Sequence, residues 1–380
     1  MNDFKSNLRV LIKKSVNNNY GIENYDSHRF GYYQQNLEIL NKKKSVFDIL
    51  KIKKFIKNGI GYKTEKQKYL KIGDELTNNY IQKLNTLWVY LSQKDQELVV
   101  SLTAYRILGF KKVKLKRNDK TYWDALEKVN TLADKNQIYN PNFLHFILFK
   151  FNLASIGYNI KLYFSEVGIV MNYVLEQYAY KINDLKIVAV ENGDTVLDIG
   201  ACWGDTALYF AEKAGTKGRV FSFEFIPENI KLFRINTALN PDLIERITLI
   251  ESPVSHVSGD LIHYKDNGPG SKVLYKPFDE QTGTSTTLSI DDFMELYNVQ
   301  RVDFIKMDIE GAEPDALIGA IKTITKFKPK LAIAIYHSFD DFVNIPNWIL
   351  SLDLGYEIFI DHFTIHGEET ICFAKIKSVQ

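Results

Sequence analysis

Hydrophobic residues recur along this chain in two rhythms, and the change between them falls near residue 190. Up to about residue 125 they repeat at three- and four-residue spacing, which predicts helix faces. Leu37, Ile39, Leu40, Val46, Phe47, Ile49, Leu50, Ile52, Phe55 and Ile56 make one such run, broken by Gly59-Ile60-Gly61. A second run covers Tyr69 to Leu91. A third follows Ser92, a suitable cap, and reaches Leu108 before Gly109 stops it. Phe110–Leu115 then predicts a short strand. Residues 126–190 are mixed: Asn140-Pro141-Asn142 marks a turn, Gly157–Phe164 alternates like a strand, and Val167–Tyr180 returns to helical spacing.

Beyond this point short apolar runs alternate with amphipathic segments, the pattern of a mostly parallel α/β sheet. Strands are expected at 195–199, 219–225, 246–250, 302–308 and 331–336, and a closing pair at 356–362 and 369–375. Helices are expected at 205–214, from Pro227 to Asn240, from Ser289 to Leu296, from Pro314 to before Pro329, and at 345–352. Residues 261–275 look like a hairpin around a glycine-rich turn. Seven strands ending in an antiparallel hairpin define a Rossmann-like α/β fold.

Length and composition then bound the rest. The chain has 380 residues, 45% hydrophobic and 25% charged, which suits a globular protein of two or three domains. The expected division is a helical accessory domain at 1–125, a connecting segment at 126–190 and a catalytic domain at 191–380. Two cysteines, Cys202 and Cys372, lie outside any C-x-x-C pair, so a disulfide framework or zinc knuckle is not expected. No apolar run reaches bilayer length, and the apolar centre of Met1–Lys14 is too short for a secretory signal. A cytoplasmic protein is the expectation. Residues 1–125 hold 25 Lys and Arg against 12 Asp and Glu, while the remainder holds 23 against 34. A basic third can serve a nucleic acid, a membrane or a phosphate. Here the lysines are spread, apart from Lys42–Lys44 and Lys111–Arg117, which favours solvated helix faces and disfavours nucleic acid as the partner. A homodimer interface is another use for this part.

The chemistry concentrates in three stretches. Asp198-Ile199-Gly200-Ala201-Cys202-Trp203-Gly204 joins the first strand to its helix. Its glycines are four apart and the third glycine of a dinucleotide fingerprint is missing. An acid two residues before the first glycine suits a ligand with an ammonium and a sulfonium in place of a pyrophosphate, which points to S-adenosylmethionine. Glu224 ends the second strand, where a carboxylate accepts ribose hydroxyls. Gly200, Ala201, Trp203 and Gly204, with Asp198, Glu224, Phe225 and Asn229, are the candidate cofactor-binding residues.

The second stretch is Lys306-Met307-Asp308-Ile309-Glu310-Gly311-Ala312-Glu313. Lys306, Asp308 and Glu310 follow a two-residue period as the fourth strand leaves the sheet, at the edge where such sheets bind ligands. The third is Tyr336-His337-Ser338, ending the fifth strand; His362 and His366 near the closing hairpin are weaker candidates, and Tyr178 and Tyr180 are aromatics available to a ligand or to packing. Methyl transfer to a hydroxyl needs either a general base or a bound cation. Asp308, Glu310, His337 and Lys306 are the candidate catalytic residues. Asp308, Glu310 and His337 also form a candidate set for Mg2+ or Mn2+. Base and metal remain open alternatives.

Val196–Thr206, Phe223–Asn229, Asp303–Glu313 and Leu331–His337, with Asp361–Thr370, resemble the FkbM-type S-adenosylmethionine-dependent methyltransferases. The resemblance covers roughly residues 190–375 and implies a class I methyltransferase sheet. It also implies O-methylation of a hydroxyl on a sugar or a polyketide-like product. Matched by position, Asp198, Gly200 and Glu224 fall on the family's cofactor motif, and Asp308, Glu310 and His337 on its acidic and histidine motifs. The expected function is an O-methyltransferase for a sugar hydroxyl of a nucleotide-diphosphate sugar, or of a capsule or lipopolysaccharide unit. The alternatives are a natural-product or lipid O-methyltransferase, an RNA-binding protein using the basic third, and a non-catalytic cofactor-binding scaffold.

Overall fold

The computed structural model describes residues 3–33 and 64–377; the expected helical run at 37–56 and its glycine break lie outside the described residues. The chain divides into two compact units, one of residues 1–119 with 364–367, the other of residues 120–363 with 368–380.

The first unit is helical. Helix α1 (Phe4–Ser15) is capped by Asp3 and buries Phe4, Leu8 and Ile12 at four-residue spacing. Helix α2 (Glu65–Thr77) opens with a capping box between Thr64 and Gln67. The run expected as one helix over 69–91 is two, because Asn78–Tyr80 tightens into a 3-10 turn before α3 (Ile81–Tyr90). Paired asparagines favour turns over helix interiors. Ser92 caps α4 (Gln93–Leu108) as expected, and α4 packs on α1. The strand expected at 110–115 is absent. Its carbonyls bond elsewhere: the Asn24 side chain donates to Phe110 O and Val113 O, and Tyr20 N donates to Lys111 O. Local side-chain bonds have replaced a ladder.

The second unit opens with α5 (Lys120–Asn130) and an antiparallel sheet of β1 (Ala133–Tyr139), β2 (Leu148–Asn152) and β3 (Lys161–Phe164). The helix expected over 167–180 stops early, with an α turn at Glu166–Ile169 and a π turn at Val170–Val174. The reason lies at Glu176, which has a left-handed backbone and gathers Lys181, Lys186 and Lys213 at 2.6, 2.8 and 2.9 Å. Burial works against its charge, yet the three ammonium groups hold the carboxyl far below its usual range. Strands β4 (Tyr180–Ile182) and β5 (Leu185–Val188) form a hairpin beyond it.

The core is a seven-stranded sheet in the order β14-β15-β13-β12-β6-β7-β8. It comprises β6 (Thr195–Ile199), β7 (Arg219–Phe223), β8 (Ile247–Ile250), β12 (Phe304–Met307), β13 (Lys330–Ala334), β14 (Tyr356–His362) and β15 (Thr370–Ile376). All pairings are parallel except those of β15 with β13 and β14. This is the class I methyltransferase arrangement. The chain leaves β6 toward β7 and returns at β12 on the other side, so the crevice opens at the carboxyl ends of β6 and β12.

Helices α6 (Asp205–Ala214), α7 (Pro227–Ala238) and α8 (Ile290–Leu296) form where expected. The hairpin of β9 (Leu261–Lys265) and β10 (Lys272–Leu274) gains a third strand, β11 (Gly283–Thr286), on its other edge. The helix expected from Pro314 breaks at Gly319 into α9 (Glu313–Ile318) and α10 (Ile321–Phe327). Gly319 fits so closely against Ser255 O that a Cβ there would stand 2.2 Å away. Helix α11 (Phe339–Ser351) starts six residues before the expected 345, because Ser338 caps it and Pro346 is carried inside. Among the described residues no helix is long and apolar enough to cross a membrane.

Candidate functional site

Five residues, 200–204, carry the chain from β6 over the sheet edge into α6. The amides of Gly200 and Ala201 both donate to Phe223 O, at 3.0 and 2.9 Å, which ties the loop to the end of β7. Gly200 has φ +84°, and a Cβ there would lie 2.0 Å from the carbonyl oxygen of Asp308. Only glycine fits so close to the end of β12.

Beneath the loop lies a buried ion pair. Asp198 stands directly between Lys306 of β12 and Ser222 of β7 in the strand register. Its oxygens accept from Thr206 Oγ1 at 3.0 and 2.9 Å and from Ser222 Oγ at 3.3 Å, and Lys306 Nζ is 3.4 Å away. Lys306 also donates to Gly200 O at 2.5 Å and Ile199 O at 3.3 Å. Burial pushes the Asp198 carboxyl up, while Lys306, Thr206 and Ser222 pull against it. Two expectations change as a result. Asp198 is 0% exposed, so it holds the loop rather than touching a ligand's ammonium. Lys306, 1% exposed, faces the underside of the same loop and not the mouth of the crevice.

Ala201 and Trp203 are also turned inward. Ala201 packs with Ala207 and Phe233, and the Trp203 ring meets Phe164 edge-on at 6.1 Å. An acid that sequence reasoning missed stands at the loop instead. Asp205, in the first turn of α6, is buried and accepts from Asn172 Nδ2 at 2.5 Å; burial pushes its carboxyl up to about 7. A first-turn acid otherwise signals only the helix dipole, which is why it carried no mark in the sequence.

Glu224, Phe225 and Asn229 come together at the end of β7. Glu224 Oε1 accepts from the amides of Phe225 and Ile226 at 2.7 and 2.8 Å, and Oε2 from Asn229 Nδ2 at 3.1 Å. Burial raises its carboxyl to about 7. Asn229 Oδ1 is buried without a hydrogen-bond partner, beside Gly268 of the β9–β10 turn. The Phe225 ring meets Tyr264 edge-on at 5.5 Å.

The third group gathers past the ends of β12 and β13. Asp308 accepts from Tyr178 OH at 3.1 Å and from Tyr336 OH at 3.0 Å. Burial first, then the Asp308 charge, raises both phenols, so they remain donors. The period of two expected Glu310 to follow Asp308 into the site. Instead the strand ends at Met307, and Glu310 and Gly311 take φ +58° and +96°. That turn leaves the Glu310 side chain 54% exposed and brings the fully buried Glu313 back under Ile309, whose amide donates to Glu313 Oε1 at 2.7 Å.

His337 stands among these acids, with Nδ1 3.3 Å from Glu313, and Nε2 3.5 Å from Asp308 and 3.8 Å from Glu310. Burial lowers its pKa, but Glu313, Asp308 and Glu310 outweigh this and lift it to about 10. In the metal-free protein it is therefore a cation near neutrality, not the free base expected of it. Glu369, partly buried, accepts from Gln177 Nε2 at 2.6 Å, and burial together with the Asp308 charge raises its carboxyl to about 8. Gln177 has no motif to announce it, and Glu369 lies within the Asp361–Thr370 stretch without being singled out there. His362 is bonded to Thr370 Oγ1 at 2.9 Å within the hairpin, and His366 belongs to the first unit, 3.7 Å from Asp26.

Residues 198–358 match the family model described as the Methyltransferase FkbM domain. The 2-O-methyltransferase NoeI of Sinorhizobium fredii is 27% identical over 149 residues, 34% of this chain and 59% of that protein. A ribosomal RNA large subunit methyltransferase E of Lawsonia intracellularis is 26% identical over 162 residues, 40% of this chain and 78% of that one. The crystal structure of a methyltransferase FkbM from Methylobacillus flagellatus aligns with 21% identity and a TM-score of 0.41, over 72% of this chain and 65% of that one. This chain thus spans less than two thirds of NoeI and of the solved FkbM structure.

Proposed function

We propose, on the match of residues 198–358 to the Methyltransferase FkbM domain, that this chain methylates a sugar hydroxyl with S-adenosylmethionine. The acceptor in this reading is a nucleotide-diphosphate sugar or a capsule or lipopolysaccharide unit. One observation carries it: a Cβ at Gly200 would lie 2.0 Å from the Asp308 carbonyl oxygen, so the loop and the turn that carries Asp308 meet at the same sheet edge.

The residues fit the methyl donor. Glu224 and the unpartnered Asn229 Oδ1 are acceptors suited to the hydroxyl and amine donors of a nucleoside, and Asp205 suits an ammonium. S-adenosylmethionine, when bound, would supply an electrophilic methyl carbon for the acceptor oxygen, with the neutral thioether as leaving group. Asp308, fixed by Tyr178 and Tyr336, orients that hydroxyl. The hydroxyl proton passes to a carboxylate on the Asp308–Glu369 side, where burial and then the Asp308 charge raise the Glu369 carboxyl to about 8. Asp308, Glu310 and Glu313 make this mouth acidic, which suits a neutral sugar ring there, with any diphosphate held away from it, better than a threaded polyanion. The name of NoeI as a 2-O-methyltransferase supports transfer to an oxygen atom. Mg2+ or Mn2+ belongs to this reading as a second way to activate the hydroxyl.

The donor site is tested by pH. Glu224 accepts ribose hydroxyls in its ionised form, and burial places its carboxyl at about 7. Raising pH from about 6 to about 8 ionises it, so S-adenosylmethionine should bind roughly 5- to 10-fold more tightly in calorimetry. Asp205 works in the same direction. Glu224→Gln should weaken binding about 10-fold and flatten the pH response. Affinity that ignores both pH and this substitution would remove Glu224 from the donor site.

A further inference from the structure

Three polar atoms at the end of β12 and β13 lack partners although they are buried. Glu313 is 0% exposed, and its Oε2 has no hydrogen bond. The His337 side chain is 10% exposed, and neither ring nitrogen forms a hydrogen bond of good geometry. Asp308 is held in place by its two tyrosines. One ligand atom from each of Asp308, Glu313 and His337 lies within 4.8 Å of the other two. Atoms about 2.1 Å from one octahedral ion stand about 3.0 Å apart in neighbouring positions and about 4.2 Å apart in opposite ones. The 3.3 Å gap between Glu313 and His337 Nδ1 falls inside that range, while the 3.5 Å gap to Asp308 is from the other ring nitrogen, Nε2.

Charge points the same way. Asp308, Glu310 and Glu313 face a single imidazole, and the cation on β12, Lys306, is committed to Asp198 and Gly200 O. Buried carboxylates without full pairing are costly, and a divalent ion would satisfy Glu313 and one ring nitrogen of His337.

We propose that Asp308, Glu313 and His337 bind one divalent cation of the Mn2+ type. Glu313 replaces Glu310 in the ligand set that the two-residue period suggested, because the turn at Glu310–Gly311 carries Glu310 outward. An imidazole with two carboxylates suits Mn2+ better than Mg2+, which prefers oxygen alone. The bound ion lowers the pKa of the acceptor hydroxyl beside the donor loop. The assignment of that role rests on the methyl-transfer reading; the ion site itself does not.

The test is titration of the full chain with MnCl2, following the loss of the free Mn2+ signal by electron paramagnetic resonance. One site per chain is expected, with Mg2+ competing at least 10-fold more weakly. Glu313→Gln and Asp308→Asn should each weaken Mn2+ binding at least 10-fold with an unchanged circular dichroism spectrum, and Glu310→Gln less than 3-fold. No site in the unaltered protein, or a Glu313→Gln protein that binds Mn2+ normally, would overturn the proposal. Methyl transfer that persists in chelator together with absent Mn2+ binding would overturn the ion site and leave the enzyme reading intact. Stoichiometric Mn2+ binding with no methylated hydroxyl would support the site and overturn that reading instead.

Discussion

Gly200→Ala is expected to weaken S-adenosylmethionine binding at least 100-fold and to cost about 3 to 4 kcal/mol of stability. Two effects add. At φ +84° an alanine sits in left-handed backbone, which costs about 1 kcal/mol or more. The added Cβ would also stand 2.0 Å from Asp308 O and 2.9 Å from the Ile309 side chain. Neither contact is the loose end of a side chain that can swing away, for Asp308 O is backbone and Ile309 is short and branched. Relief therefore requires the loop to lift from β12, which separates the donor loop from Asp308. Calorimetry and urea unfolding measure the two effects. Binding within 2-fold of normal would contradict the close approach on which the site is built.

Lys306→Met is expected to destabilise the protein by about 3 to 5 kcal/mol. The side chain fits the same space, so the loss is electrostatic. Asp198 would remain fully buried with Thr206 and Ser222 but no counter-charge, and Gly200 O and Ile199 O would lose their donor. The urea midpoint should fall without a change in slope. Adding Asp198→Asn should recover part of the loss, since no buried charge is then left unpaired. A double variant that loses the sum of the two single effects would contradict direct coupling of this pair.

The sheet was legible because its strands are short apolar runs with few alternatives, and the donor loop because its two glycines punctuate a strand-to-helix turn. Less visible was anything set by register between strands distant in sequence. Asp198 and Lys306 are each striking alone as charges in apolar strands, but only the pairing of β6 with β12 turns them toward each other. Once paired, they support the loop from below, and in the proposed reading the contact with a ligand falls to Asp205 and Glu224. The same limit applies to Glu313. A period of two is valid while the strand lasts, and the left-handed turn after Met307 ends it before Glu310. Gln177 and Glu369 are not singled out in the sequence, and Tyr178 only as an aromatic, because they reach the site through a π turn and a hairpin whose geometry is tertiary. Helix α11 begins at Phe339 and not at 345, with Pro346 carried inside it.

The central claim is that the loop at 200–204 presents a methyl group to a sugar hydroxyl held at Asp308. The most direct measurement is incubation of the full chain, with Mn2+, with isotopically labelled S-adenosylmethionine and a panel of nucleotide-diphosphate sugars, oligosaccharides and RNA, followed by mass spectrometry of each acceptor. The account predicts one labelled methyl group on a sugar oxygen, abolished by Gly200→Ala and reduced at least 100-fold by Asp308→Asn. Label appearing on RNA or on a nitrogen or carbon atom, or on no acceptor at all, would contradict it.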